Sequence, residues 1–290
     1  LIDIEKEEIV ATAKSYTTVG TDVKYGYEKA LNELNEKVGG DYEVVKTLAC
    51  SSAAGGLKMI SIGLVPDLTA EAAKRAALGA GARVIANYAF KLNSSEFEKI
   101  AISNADIILL AGGTDGGNTE TIIHNAKGLL EHDIKIPIVV AGNKSAEDDI
   151  KKIFEGKDNL YFTENVMPKI NEINVEPARE TIREIFMGNI TKAKGMKNVE
   201  SEISSVAMPT PQSVLKAAEA LSKGTTNEEG VGDLIVVDVG GATTDIHTVG
   251  WGDPTKPGVF TVGLEEPFAK RTVEGDLGMR YSSMSVYEAS

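Results

Sequence analysis

The densest concentration of ligand-binding side chains lies in the run Leu234-Ile235-Val236-Val237-Asp238-Val239-Gly240-Gly241-Ala242-Thr243-Thr244-Asp245. Gly240 and Gly241 put no Cβ between the backbone and an approaching ligand. Successive backbone N–H groups in such a turn form an anion-binding concavity, to which Thr243 and Thr244 add hydroxyl donors. Asp238 is placed to hold a magnesium ion through water. Together these groups suit a phosphate and its hard cation. Such groups need rigid support. Leu234 to Val237 is apolar and β-branched and predicts a buried strand of a covered sheet; Asp245 to Val249 predicts a second strand. The unit reads as strand, phosphate-sized hairpin, strand. The plainer alternative is a glycine hairpin joining two core strands. No G-x-x-x-x-G-K-[ST] occurs, so the arrangement differs from the strand-to-helix P-loop.

The segment resembles the second phosphate motif of the actin, sugar-kinase and heat-shock chaperone ATPases. That resemblance implies that Asp238 serves the metal and the attacking water. It also implies that Gly240, Gly241 and Thr243 wrap the β- and γ-phosphates of ATP, and that Asp245 supports the cation site. Further segments narrow the match: LLAGGTDGGN (Leu109 to Asn118), NVMPKINEINVEPAR (Asn165 to Arg179) and KRTVEGDLGMR (Lys270 to Arg280). In this order, across essentially the whole chain, they resemble the glutamate mutase component L family, found beside adenosylcobalamin-dependent aminomutases. The resemblance implies an ATP-dependent reactivating factor or chaperone, with ATP and magnesium as cofactors and mutase subunits as partners. The family's short name is shared with a DNA mismatch-repair ATPase, to which neither the charge nor the hairpin motif lends support.

Composition agrees with a soluble globular protein. Of 290 residues, 42% are hydrophobic and 25% charged, which allows one large or two modest domains. The net charge of −13 argues against nucleic acid, which demands basic stripes. No apolar run reaches the ~18 residues of a membrane helix, and no signal peptide opens the sequence. The single cysteine, Cys50, excludes an internal disulfide and fits a reducing cytoplasm. With no base or positive group nearby in sequence, it is not expected to be a nucleophile.

The expected organisation starts with a hairpin: Leu1 to Ile4 alternates, Glu5 to Glu8 turns, and Ile9 to Ala13 resumes as a strand. Thr17 and Thr18 precede a helix over Lys24 to Val38, and Val44 to Ala49 reads as a strand. The small-residue stretch Cys50 to Gly56 permits close backbone approach, to a neighbouring strand or a ligand, before an extended Leu57 to Leu64. From Asp67 to Gly156 helices and strands alternate, with strands at 83–86, 106–111 and 136–141 and helices at 68–80, 94–102, 118–132 and 146–154. That rhythm means a parallel sheet with helices on its faces. Pro177 suits the first turn of a helix to about Lys194. Pro209 and Pro211 are expected to break the chain before a helix over Ser213 to Leu221, and Gly224 to Gly232 reads as a linker.

Other candidates carry two readings each. Residues 111–118 (AGGTDGGN) follow a strand and open a helix, which suits an anion, yet Asp115 repels phosphate and Asn118 serves as an N-cap. The G-x-G-x-x-G spacing of a dinucleotide fold is missing. Glu274, Gly275 and Asp276 match a superfamily segment that returns towards the nucleotide, with a charged surface turn as the alternative. Lys270 and Arg271 either offset phosphate charge or form a solvated basic pair. Residues 245–250 satisfy D-x-H-x-x-G, by which many cobalamin enzymes supply a histidine to cobalt. There the pattern lies on a loop; here it overlaps the phosphate motif and continues a strand, so His247 is not expected to ligate cobalt. His124 and His132 have no ligand partners at useful spacing.

The fold expected is therefore α/β: an actin-like (ribonuclease H-like) ATPase fold with an inserted parallel α/β region. The first lobe would comprise residues 1–66 and 195–230, the insertion 67–194, and the start of the second lobe 231–290. The resemblance places the first phosphate motif before Leu1 and the adenine-binding glycines beyond Ser290, so that this chain holds about half of a nucleotide site. The rival readings are a small-molecule kinase or amidohydrolase of the same superfamily, and a non-catalytic partner-binding protein stabilised by nucleotide.

Overall fold

The computed structural model describes all residues except 17, 19–20, 40–41, 52–56, 191–204, 242, 253–255, 260–263, 275–276, 281–282, 285–286 and 288–290. The chain forms two compact units. One comprises Leu1–Ser51 and Ile185–Met208. Its opening hairpin pairs Ile2–Asp3 with Glu8–Ile9, so the second strand stops well short of Ala13. The helix Val23–Val38 is capped by the Asp22 side chain, which accepts from the Lys24 N–H, and ends at Gly39, whose φ of 59° suits glycine. Leu48–Ser51 pairs with Ser205–Pro209. The expected strand at 44–49 is thus shifted towards the C-terminus, and Cys50 lies exposed within it.

The other unit comprises Ser52–Glu184 and Pro209–Ser290. At its centre five parallel strands run in the order Ala82–Ala89, Leu57–Gly63, Ile107–Leu110, Ile138–Val140, Leu160–Phe162. The alternating rhythm predicts such a sheet, which also takes in Leu57–Gly63 and Leu160–Phe162. Ile107–Leu110 is buried throughout because helices cover both faces, which is why it reads as an uninterrupted apolar run. The core joins Ile60, Ile62, Ile108 and Leu110 to Phe97, Ile100, Ile122, Leu129 and Ile150 from the helices.

Those helices begin and end where local chemistry directs. Asn93 and Glu96 form a reciprocal capping box on Ser94–Ala101. A π-helical turn, Pro66–Ala70, leads into Glu71–Gly79, where Ala72, Ala73, Ala76 and Ala77 are fully buried. Alanine leaves no side-chain volume to hold that helix away from its neighbours. Glu176–Ile190 carries Pro177 in its first turn, as expected; the extension to Lys194 lies outside the described residues. Pro211 does not break the chain. It occupies the first turn of Thr210–Lys223, where the missing N–H has no intrahelical partner to lose.

A three-stranded antiparallel sheet completes this unit, with Thr244–Val249 between Leu234–Val239 and Ala269–Glu274. The helices Glu71–Gly79 and Thr210–Lys223 pack on it. Asp245, His247, Val249 and Arg271 are buried beneath them. The opposite face differs from expectation. Ile235, Val237 and Val239 are 67%, 56% and 54% exposed, so the first strand is packed on one face among the described residues. Its period of two sends every other residue to the open side.

Packing in the α/β layer is tight enough to test at a glycine. A Cβ on Gly128 would lie 2.0 Å from the buried Phe97 ring. Gly128→Ala gains about 1 kcal/mol of helix propensity, but overpacking costs about 1–3 kcal/mol. The variant is expected to be less stable than the parent in urea unfolding; equal or greater stability would show that Phe97 moves freely.

Candidate functional site

The hairpin forms where the sequence predicts it. Asp238 lies opposite Asp245, Val236 opposite His247, and Val239 opposite Thr244. Asp238 and Asp245 therefore share the inner face, Asp238 half-buried and Asp245 buried. Two carboxylates directly opposite one another repel. Arg271, on the adjoining strand, relieves this. Its Nε donates to Asp245 Oδ1 at 2.8 Å and its Nη2 lies 2.5 Å from the same oxygen. Asp245 Oδ2 accepts from the Thr243 hydroxyl at 3.1 Å. Asp238 carries the other charge.

The turn itself is braced. The Gly240 N–H donates to Thr243 O at 2.9 Å, and a Cβ on Gly240 would stand 3.0 Å from that oxygen. Residues 277–280 return across the turn: Met279 N–H donates to Gly240 O and Arg280 N–H to Gly241 O, each at 3.0 Å. The Thr244 hydroxyl donates to Leu277 O. A trans peptide holds its C=O and N–H on opposite sides, so with Gly240 O directed at Met279, the Gly241 N–H faces away from the returning segment. Thr243 and Thr244 thus use their hydroxyls as donors within the protein. Glu274 ends the returning strand with its Cα opposite Thr244; Gly275 and Asp276 lie outside the described residues.

The basic pair separates. Lys270 Nζ is held by Glu266 at 2.8 Å, whereas Arg271 is buried and bonds Leu78 O at 3.2 Å and Ala82 O at 2.8 Å besides Asp245. Its burial lowers the guanidinium pKa, against the opposing pull of Asp245. His247, opposite Arg271, is fully buried with neither ring nitrogen hydrogen-bonded. Burial, then the Arg271 charge, pushes its pKa down, against the pull of Asp245 and Asp238. His247 thus sits inside a sheet layer and not on a ligand-facing loop.

The 111–118 loop lies elsewhere in this unit, after Ile107–Leu110 and beside Leu57–Gly63, where the strand order reverses. Open α/β sheets take ligands at such points, yet these residues hold one another. Asn143 Oδ1 accepts from Gly116 N–H and Ser145 N–H, and its Nδ2 donates to Gly117 O and Asn118 O. Asn165 Nδ2 donates to Gly113 O and Asp115 Oδ1, which also accepts from Lys144 N–H. Asn118, expected as the N-cap, lies one residue before the cap position Thr119 of Glu120–Glu131, and its Oδ1 accepts from Thr121 N–H at 3.1 Å. Both bracing asparagines escaped the sequence reading; a lone asparagine after a strand carries no signal. His124 and His132 each bond a backbone carbonyl, Leu92 O and Gly128 O.

The family model described as "MutL protein" matches residues 1–290. The chain belongs to that family. It is the glutamate mutase component L family named above, not the mismatch-repair proteins that share the short name. "Protein MutL" from Clostridium tetanomorphum is 63% identical to the chain over 291 residues, covering 100% of the chain and 63% of that relative. The chain thus spans under two thirds of the length of the curated family member. No solved structure matches it. Among the described residues, no helix is long and apolar enough to cross a membrane.

Two expectations follow from this geometry. Asn143→Ala strips the loop of its brace and should cost about 3 kcal/mol of stability by chemical unfolding, through unsatisfied backbone groups; a change near zero would show that the loop holds itself. His247, with its folded pKa below the ordinary 6.5, takes up a proton more readily when unfolded. Its contribution is complete above that value and is lost as pH falls from there. The thermal midpoint should therefore drop on acidification below 6.5, and His247→Leu should flatten that part of the profile.

Proposed function

We propose that this chain carries the phosphate-binding part of an ATP-dependent reactivating factor for an adenosylcobalamin-dependent aminomutase, such as glutamate (methylaspartate) mutase. The reading places the hairpin in an actin-like ATPase fold and the protein in the cytoplasm. The observation that supports it best is the braced glycine turn: a half-buried Asp238 beside a turn whose Gly241 N–H faces away from the returning residues 277–280.

The residues suit a nucleotide and its magnesium. Asp238 would hold the cation through water, and its carboxylate is suited to that because Asp245 is already neutralised by Arg271. Gly240 and Gly241 allow phosphate to approach the backbone, and the Gly241 N–H would supply a donor to its oxygens. When bound, magnesium would offset the phosphate charge and polarise the γ-phosphoryl group. Thr243 and Thr244 act one step back, fixing the turn. Contacts present with γ-phosphate and absent after its loss give two states with different affinity for a mutase, which is what a reactivating cycle requires. Membership of the MutL family supports the mutase as the partner.

Calorimetry with ATP and magnesium tests the reading on the full-length protein, on residues 1–290 and on Asp238→Ala in each. The full-length parent should bind ATP, Asp238→Ala should weaken binding at least about tenfold, and added mutase should raise ATP turnover. Phosphorylation or hydrolysis of a metabolite without mutase would move the protein to the kinase or amidohydrolase class. Absence of nucleotide binding by the full-length protein would sink the proposal.

A further inference from the structure

Arg271 joins parts of the chain that are far apart in sequence. One end of its guanidinium holds Asp245, at the root of the glycine turn, at 2.8 Å through Nε. The other end, Nη1, donates to Leu78 O at 3.2 Å and to Ala82 O at 2.8 Å. Leu78 belongs to the last turn of Glu71–Gly79, where its carbonyl also accepts from the Gly81 N–H and a positive charge is favoured. Ala82 begins the edge strand of the parallel sheet, Ala82–Ala89. A planar guanidinium can serve both ends at once because its donors diverge in a fixed fork.

The corner that Arg271 grips has little slack. A Cβ on Gly79 would stand 2.2 Å from Arg179 Nε, so the Arg179 guanidinium packs directly on that residue. Gly81, with φ +89°, would place a Cβ 3.0 Å from the Pro209 side chain. The buried alanines hold the preceding helix against its neighbours from within. A shift of Asp245 therefore has to be taken up by Arg271 or passed to residues 78–82.

We propose that Arg271 is a positioning residue. It sets the Asp245 side of the glycine turn and carries the occupancy of that turn into the helix Glu71–Gly79 and the edge strand Ala82–Ala89. The inference rests on the nucleotide reading and adds to it the route by which nucleotide reaches the parallel sheet. Arg271 does not meet phosphate; its work is done on Asp245 and two carbonyls.

Hydrogen exchange on the full-length protein, with and without ATP and magnesium, tests it. The parent should show slowed exchange at residues 240–249 and at residues 78–89. Arg271→Met alone would leave a buried carboxylate without its partner, so the informative variant is Asp245→Asn/Arg271→Met, which removes both charges. Arg271→Lys keeps the charge without the fork. In both, at an ATP concentration shown by calorimetry to saturate the variant, exchange at residues 240–249 should slow, while the slowing at residues 78–89 is lost. The Ile107–Leu110 strand, protected as in the parent, would report that the fold is retained. Slowing at residues 78–89 that persists in the double variant would overturn the proposal. So would its absence in a parent that responds at 240–249. A parent responding at neither segment would instead remove the nucleotide reading on which the inference stands.

Discussion

Asp245 and Arg271 form the contact on which the rest of the site depends. Both are buried, 4% and 5% exposed, and neither charge would survive there alone. Losing one partner of such a pair costs about 3–5 kcal/mol. The pair persists because its remaining valences are met: Thr243 donates to the second carboxylate oxygen, and Leu78 and Ala82 accept from the guanidinium. It also fixes register. A slip of one residue on either strand would carry Asp245 or Arg271 to the open face of the sheet and part the pair.

Register in turn decides the electrostatics of the turn. With Arg271 on Asp245, the facing carboxylates no longer compete, and the Asp238 carboxylate stays outside that pairing. The returning segment orders the glycine peptides through their carbonyls, which directs the Gly241 N–H outward. Preorganisation of this kind leaves little rearrangement for a ligand to drive locally. The hairpin is fastened at the corner of helix and edge strand, which is where a shift of the turn would have to be taken up.

How much of this could be read from residues alone depends on range. The hairpin was legible because its signal is local: β-branched runs flank two glycines, and Asp238 and Asp245 fall into register. The parallel sheet was legible because strands buried on both faces leave uninterrupted runs such as Ile107–Leu110. Pro211 was misread because a proline in a first helical turn and a helix breaker look alike in sequence. Leu234–Val239 was read as covered, although apolar composition does not reveal whether a second face is packed. The roles of Arg271, Asn143 and Asn165 were illegible for one reason. Their partners are backbone carbonyls and amides, which every residue possesses and no sequence advertises.

The separation between Arg271 and Ala82 is 189 residues, and a ribosome takes roughly 10–40 s to cover it at ordinary rates of synthesis. Leu57–Gly63 is made before that interval and the other four strands of the parallel sheet within it, so the layer can assemble before Arg271 reaches the carbonyls of Leu78 and Ala82. The hairpin emerges later, meets a corner already built, and is fastened to it by an arginine made after all five strands. Fastening of the glycine turn thereby follows assembly of the sheet. A nascent chain stalled before Arg271 would hold all five parallel strands and a hairpin without its anchor.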